Sequence, residues 1–158
     1  MKTESGLAFS VGVVAGLRPM TALAAMAWAV RRGRIQIGPS PILWMLSAGT
    51  SKRIAQLAIS ELIVDKLPFT PSRLNAAPLS LRIVSGAICG AAIRRSRKRS
   101  LTDGAVLGGL GALAGAITGY HVRKRLSHDM PDLAVALLED ALAVGGSAVV
   151  VTLGGALA

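Results

Sequence analysis

Apolar residues in this chain come in long blocks, separated by short basic or proline-rich stretches. The first block runs from about Gly6 to Val30 and is closed by Arg31, Arg32 and Arg34. A polar link with Gly38, Pro39 and Pro41 follows. Ile42 to Leu46, with Trp44, reads as a short interfacial piece, because Trp favours the headgroup level. Ser51 is placed to cap a second helix from about Lys52 to Lys66, stopped by Pro68. That helix is short and polar for a membrane span. Pro68, Pro71 and Pro78 predict an irregular loop. A third block covers about Leu79 to Ile93 and ends in the basic run 94–99. A fourth starts at Thr102-Asp103, a good helix N-terminus, and continues to about Tyr120, with Arg123, Lys124 and Arg125 behind it. A fifth begins at Pro131-Asp132 and continues nearly to Ala158. A bilayer needs about 20 mostly apolar residues per helix. The pattern predicts an all-α protein, a polytopic transmembrane helical bundle of about five spans in one integral membrane domain over residues 1–158.

Basic residues decide whether the polar second helix crosses. If it does, Arg31, Arg32, Arg34, Lys52, Arg53, Arg94, Arg95, Arg97, Lys98 and Arg99 share one side. Lys2, Lys66, Arg73, Arg123, Lys124 and Arg125 are then on the other. If it does not, the 94–99 run falls opposite the 31–34 run and the bias weakens. The positive-inside rule therefore favours five spans, with the N-terminus outside and the C-terminus in the cytoplasm. Only Lys2 precedes Glu4, and the first block is long for a signal h-region, so it reads as a retained span.

Composition supports a membrane bundle over a soluble core. The chain is 52% hydrophobic but only 3% aromatic, with 18 glycines in 158 residues. Small residues let helix backbones approach closely where lipid supplies no hydrophobic drive. Gly12 and Gly16, Gly86 and Gly90, Gly104 and Gly108, and Gly111, Gly115 and Gly119 are each four apart, on one helix face. They pack helices either within one chain or across a homodimer. The net charge of +10 lies between apolar blocks rather than on one amphipathic face. That is the distribution of juxtamembrane anchors facing anionic headgroups, not of a nucleic-acid surface. The single cysteine, Cys89, excludes an intramolecular disulfide and reads as a packing residue. With two histidines and no ligand spacing, neither a metal site nor a cofactor is expected. His121, beside Tyr120, reads as an interfacial histidine. There is no nucleotide-binding glycine loop and no serine-hydrolase elbow.

The candidate chemistry lies in charges within the apolar blocks. Arg18-Pro19 falls in the middle of the first. Pro19 has no N–H and its ring clashes with the carbonyl of Ala15, so the helix is expected to kink or break there. Proline suits the first turn of a new half-helix. Its exposed N–H groups, beside Arg18 and Thr21, would form an anion site. Arg18 either binds a substrate anion or lipid phosphate, or pairs with an acid on a neighbouring helix. Glu61 and Asp65 share a helix face. Two carboxylates there repel unless one is protonated or a cation lies between them. Arg82 snorkels to the headgroups or faces Asp65. Glu139 and Asp140 point roughly 100° apart, so at most one sits squarely on the interior face. Arg18, Lys66 and Arg82 against Glu61, Asp65, Glu139 and Asp140 make a nearly neutral interior set, with Glu61 and Asp65 the expected counterparts of Arg18. The first block with the Glu61 helix also faintly resembles the fourth block with the Glu139 helix, as in a weak inverted repeat.

Gly16-Leu17-Arg18-Pro19-Met20-Thr21, the Glu61-to-Pro68 stretch with Asp65 and Lys66, and Leu81 to Ala87 together resemble a family of small bacterial integral membrane proteins, catalogued as domain of unknown function 4126. The resemblance covers most of the chain. It implies a bacterial inner-membrane location and the choice of polar residues, including a second acidic element at Glu139-Asp140, but no substrate. The leading expectation is a small transporter or channel-like protein with an ionisable intramembrane site for an anion, lipid headgroup or proton. The alternative is a non-catalytic structural or assembly protein whose charges form a fixed network. An intramembrane enzyme acting on lipid is the weakest reading, because no nucleophile–base pair is evident.

Overall fold

The computed structural model of the chain describes residues 2–40, 46, 48–64 and 76–156. They form six helices: α1 (Lys2–Leu17), α2 (Pro19–Arg31), α3 (Ala48–Val64), α4 (Ala76–Ser96), α5 (Leu101–Asp129) and α6 (Asp132–Ala156). Of these, α4, α5 over Leu101–His128, and α6 are long and apolar enough to cross a membrane. The interfacial piece expected at 42–45, together with Asp65, Lys66, Pro68 and Arg73, lies outside the described residues.

Burial departs from that of a water-soluble protein in two ways. Arg18, Arg82 and Glu139 are buried, while Leu57, Ile59, Val106, Leu133, Leu137 and Leu142 are exposed. Exposed apolar belts around buried charge suit a hydrocarbon solvent.

Glycine sets the tightest contacts. A methyl built on Gly12 would overlap the backbone of Gly108, and one on Gly108 the backbone of Gly86. Gly90 meets Gly104, Gly111 meets Phe9, and Gly115 meets Val13 in the same way. Helices α1, α4 and α5 thus touch backbone to backbone within one chain. Around them, Val11, Val14, Ala22, Met26, Cys89, Ala112 and Val150 share one apolar core.

Local signals place most helix ends. Ser100 caps α5 by accepting from the Asp103 N–H at 3.3 Å, a cap that removes one orphan donor. Ser51 does not cap α3, which starts earlier, at Ala48; its Oγ accepts from Arg31 Nη1 at 3.3 Å. Helix α5 continues past Tyr120 to Asp129, so Arg123 lies on it rather than in a terminal cluster.

The largest departure from expectation is the path of the first apolar block. Arg94 Nη1 donates to Ser5 Oγ at 3.1 Å and Arg99 pairs with Glu4 at 3.5 Å, which places the start of α1 beside the end of α4. The backbone of Arg34 lies against Gly155, and Arg97 donates to the Gly154 carbonyl at 3.1 Å. The end of α2 therefore reaches that same end of the bundle. Along α6, Val14 of α1 lies against Gly146 and Arg18 reaches Asp140, whereas from Arg18 onward the chain climbs back past Ser147 and Val151 to Gly155. Helices α1 and α2 are two arms of a hairpin with Arg18 at its tip. Glu4 to Arg18 covers about 21 Å at 1.5 Å per residue, short of the roughly 30 Å hydrocarbon core. Helix α5 is unbroken over 29 residues, so the fourth block does not repeat the conformation of the first.

Candidate functional site

The tip is built around one residue. Arg18 has an extended backbone (φ −144°, ψ 97°) and belongs to both arms. Its N–H donates to the Val14 carbonyl at 2.9 Å, ending α1, and its carbonyl accepts from the Ala22 N–H at 3.2 Å, starting α2. Pro19 occupies the first position of α2, where a missing N–H costs least.

Breaking the ladder at Pro19 leaves groups that need new partners, and distant helices supply them. In a continuous helix the Gly16 carbonyl would accept from the Met20 N–H. Here Arg82 Nη1, on α4, donates to the Gly16 carbonyl at 2.5 Å and to the Leu17 carbonyl at 2.6 Å. The Met20 N–H donates instead to Glu61 Oε2, on α3, at 3.1 Å. Arg18 Nη2 pairs with Asp140 Oδ1 on α6, and its Nη1 donates to the Glu61 carbonyl at 3.4 Å. Arg18 is fully buried, and the Asp140 side chain is 14% exposed.

The charges are sorted by the helix dipoles. The hairpin brings the negative end of α1 and the positive end of α2 to one place. Arg82 covers the former and the Glu61 carboxylate the latter. Arg18 and Asp140 form an ion pair alongside. Unpartnered backbone groups at this depth would cost several kcal/mol each, so irregular backbone survives only when buried in protein.

Several sequence expectations change here. Arg82 does not snorkel to the headgroups: it is buried, because the carbonyls freed by Pro19 draw it inward. Arg18 pairs with Asp140, 122 positions away in sequence; of the two counterparts expected for it, Glu61 offers its backbone carbonyl and Asp65 lies outside the described residues. The Glu61 carboxylate binds the backbone N–H of Met20, within the anion position expected at the start of the half-helix. Glu139 and Asp140 are both engaged, in different directions. Glu139 is buried and pairs with Arg123 on α5 at 3.1 Å, outside the tip. Arg123 was missing from the interior set; a buried Glu139 needed a cation, and one turn more of α5 provides it. Thr21 does not join the tip network: its Oγ1 is buried with no hydrogen-bond partner among the described residues, and it lines a groove between α2 and α6. Among the described residues no cluster of His, Cys, Asp and Glu could hold a metal ion.

An all-helical architecture with buried charge, apolar exposed faces and three helices of spanning length defines a membrane-type helical protein. Residues 6–155 match the family model described as Domain of unknown function (DUF4126), and the chain belongs to that family. No curated protein and no solved structure matches it.

Proposed function

We propose that this protein is a small transporter or channel-like protein of the bacterial inner membrane, a single integral domain with an anion site at the hairpin tip held closed by the protein's own carboxylates. In this reading α3 to α6 cross the bilayer and α1–α2 form a re-entrant hairpin. Both termini then lie on the side of the basic clusters at 31–34, 52–53 and 94–99, which the positive-inside rule makes cytoplasmic. This replaces the five-span arrangement with its N-terminus outside.

One observation carries the reading: an ionisable group, Glu61, caps the N-terminus of α2 beside the buried Arg18. A serine or threonine would cap that end without bringing charge into the membrane. A carboxylate is costly there, and it has the property a gate requires, since protonation removes its charge. Neutral Glu61 no longer complements the positive end of α2. The Met20 N–H and Arg18 can then receive a small anion, and departure of the anion lets Glu61 ionise and close the site. Anion and proton therefore bind together, with no net change of charge at the tip.

Protein reconstituted in liposomes tests this with chloride, phosphate and short carboxylates, using a pH-sensitive dye inside. Wild type should move protons with at least one of these anions, and Glu61→Gln should uncouple them. Flux equal to that of empty liposomes for every anion would reject transport. The second reading, a fixed network, is favoured by the way charges at the tip are matched across four helices. It predicts that Glu61→Gln lowers thermal stability and that wild type moves nothing.

A further inference from the structure

A groove of about 360 Å³ runs between α2 and α6. Its floor is made of small residues, Ala24 and Ala25 on α2 and Ala148 on α6, and Val144 and Val151 add apolar wall. From Thr21 to Trp28 it follows α2 for about 10 Å at 1.5 Å per residue. It starts one turn past Arg18 and runs to Trp28 and Arg34 at the basic end of the bundle. That mouth end differs from the rest. Trp28 is 44% exposed there, with Arg32 and Arg34 stacked on its ring, guanidinium carbon to ring centroid 5.3 and 5.2 Å. Both arginines are exposed, and no ion pair is seen at either one among the described residues.

An apolar slot parallel to the helices, with a tryptophan and two cations at its headgroup-level end, matches one kind of occupant. We infer that the groove holds an acyl chain of an anionic phospholipid, with its phosphate between Arg32 and Arg34. The charge at the mouth selects the headgroup and the alanine floor admits the chain. Lipid seated there fills the gap between the returning arm of the hairpin and α6, which carries Asp140, so it braces the tip from the membrane side.

Native mass spectrometry of the detergent-purified protein with added phosphatidylglycerol or phosphatidylcholine of identical chains tests this. Each arginine near a headgroup contributes about 1 kcal/mol, or about fivefold in affinity. Wild type should prefer phosphatidylglycerol, and Arg34→Gln should weaken phosphatidylglycerol about fivefold and phosphatidylcholine, whose phosphate charge is offset by its choline, by less. Ala148→Leu fills the slot and should weaken both lipids equally, and Ala24→Leu does the same from the facing helix, should Ala148→Leu lower the unfolding temperature. Equal binding of the two lipids by wild type would overturn the assignment. So would unchanged lipid binding in both filled variants, or a dimer that Ala148→Leu dissociates while lipid binding is untouched.

Discussion

Replacing Arg82 with Met keeps an unbranched stem on α4 and removes the donors that serve the end of α1. Arg82 Nη1 bonds the Gly16 and Leu17 carbonyls at 2.5 and 2.6 Å. Hydrogen bonds to a charged group contribute about 1.5–3 kcal/mol each, and a buried acceptor left without a donor costs about 1–3 kcal/mol. In membrane proteins interhelical polar contacts average only about 0.6 kcal/mol, because the unfolded state in lipid finds other partners. That discount is smaller here. The two carbonyls are backbone groups at a helix end that Pro19 bars from the ladder, so their alternatives are few. A loss of about 3 kcal/mol is expected. Equilibrium unfolding in mixed micelles, titrated with denaturing detergent and followed by loss of helical circular dichroism, measures it. Arg82→Lys should recover part of the loss, since an ammonium also donates but sits on a shorter stem than the guanidinium Nη1 that serves both carbonyls. If Arg82→Met falls within about 1 kcal/mol of wild type, the freed carbonyls do not depend on Arg82 and the account of the tip fails.

Asp140→Asn removes the carboxylate seen to pair with the fully buried Arg18 and should destabilise by about 3–5 kcal/mol in the same assay; replacing Arg18 with Met in that background should recover much of it. Gly108→Ala forces a methyl into the Gly86 backbone and should destabilise by about 3 kcal/mol, whereas Gly145→Ala, with open space around it, should be neutral or stabilise by up to about 1 kcal/mol. Topology reporters fused at either end should both read cytoplasmic; opposite readings would restore a single crossing for residues 6–30.

The span-length blocks at 76–96, 101–128 and 132–156 were legible because a membrane helix needs only length and apolarity, both local properties. The interruption at Arg18-Pro19 was legible for the same reason, since a proline ring and a missing N–H act on the preceding turn alone. So were the glycine faces, although only the folded chain shows that α1, α4 and α5 use them on one another. The polar candidates were recognisable as a set because charge in an apolar block needs a partner. Their pairing was not. Glu61 reaches Met20 and Arg82 reaches Gly16 across 41 and 66 positions, and no local pattern encodes such separations.

By itself, the sequence determined that this is a helical membrane-type protein with charge carried into its interior and a first apolar block that kinks or breaks at Arg18-Pro19. The direction taken after that point was decided by tertiary structure. A break at proline is compatible with a kinked span or with a full reversal, because one extended residue between two helices can join them at many angles. The reversal exists because α4, α3 and α6 each bring a charged side chain to the tip, matching the negative end of α1, the positive end of α2 and the Arg18 guanidinium. Together those contacts turn an interrupted apolar block into a hairpin.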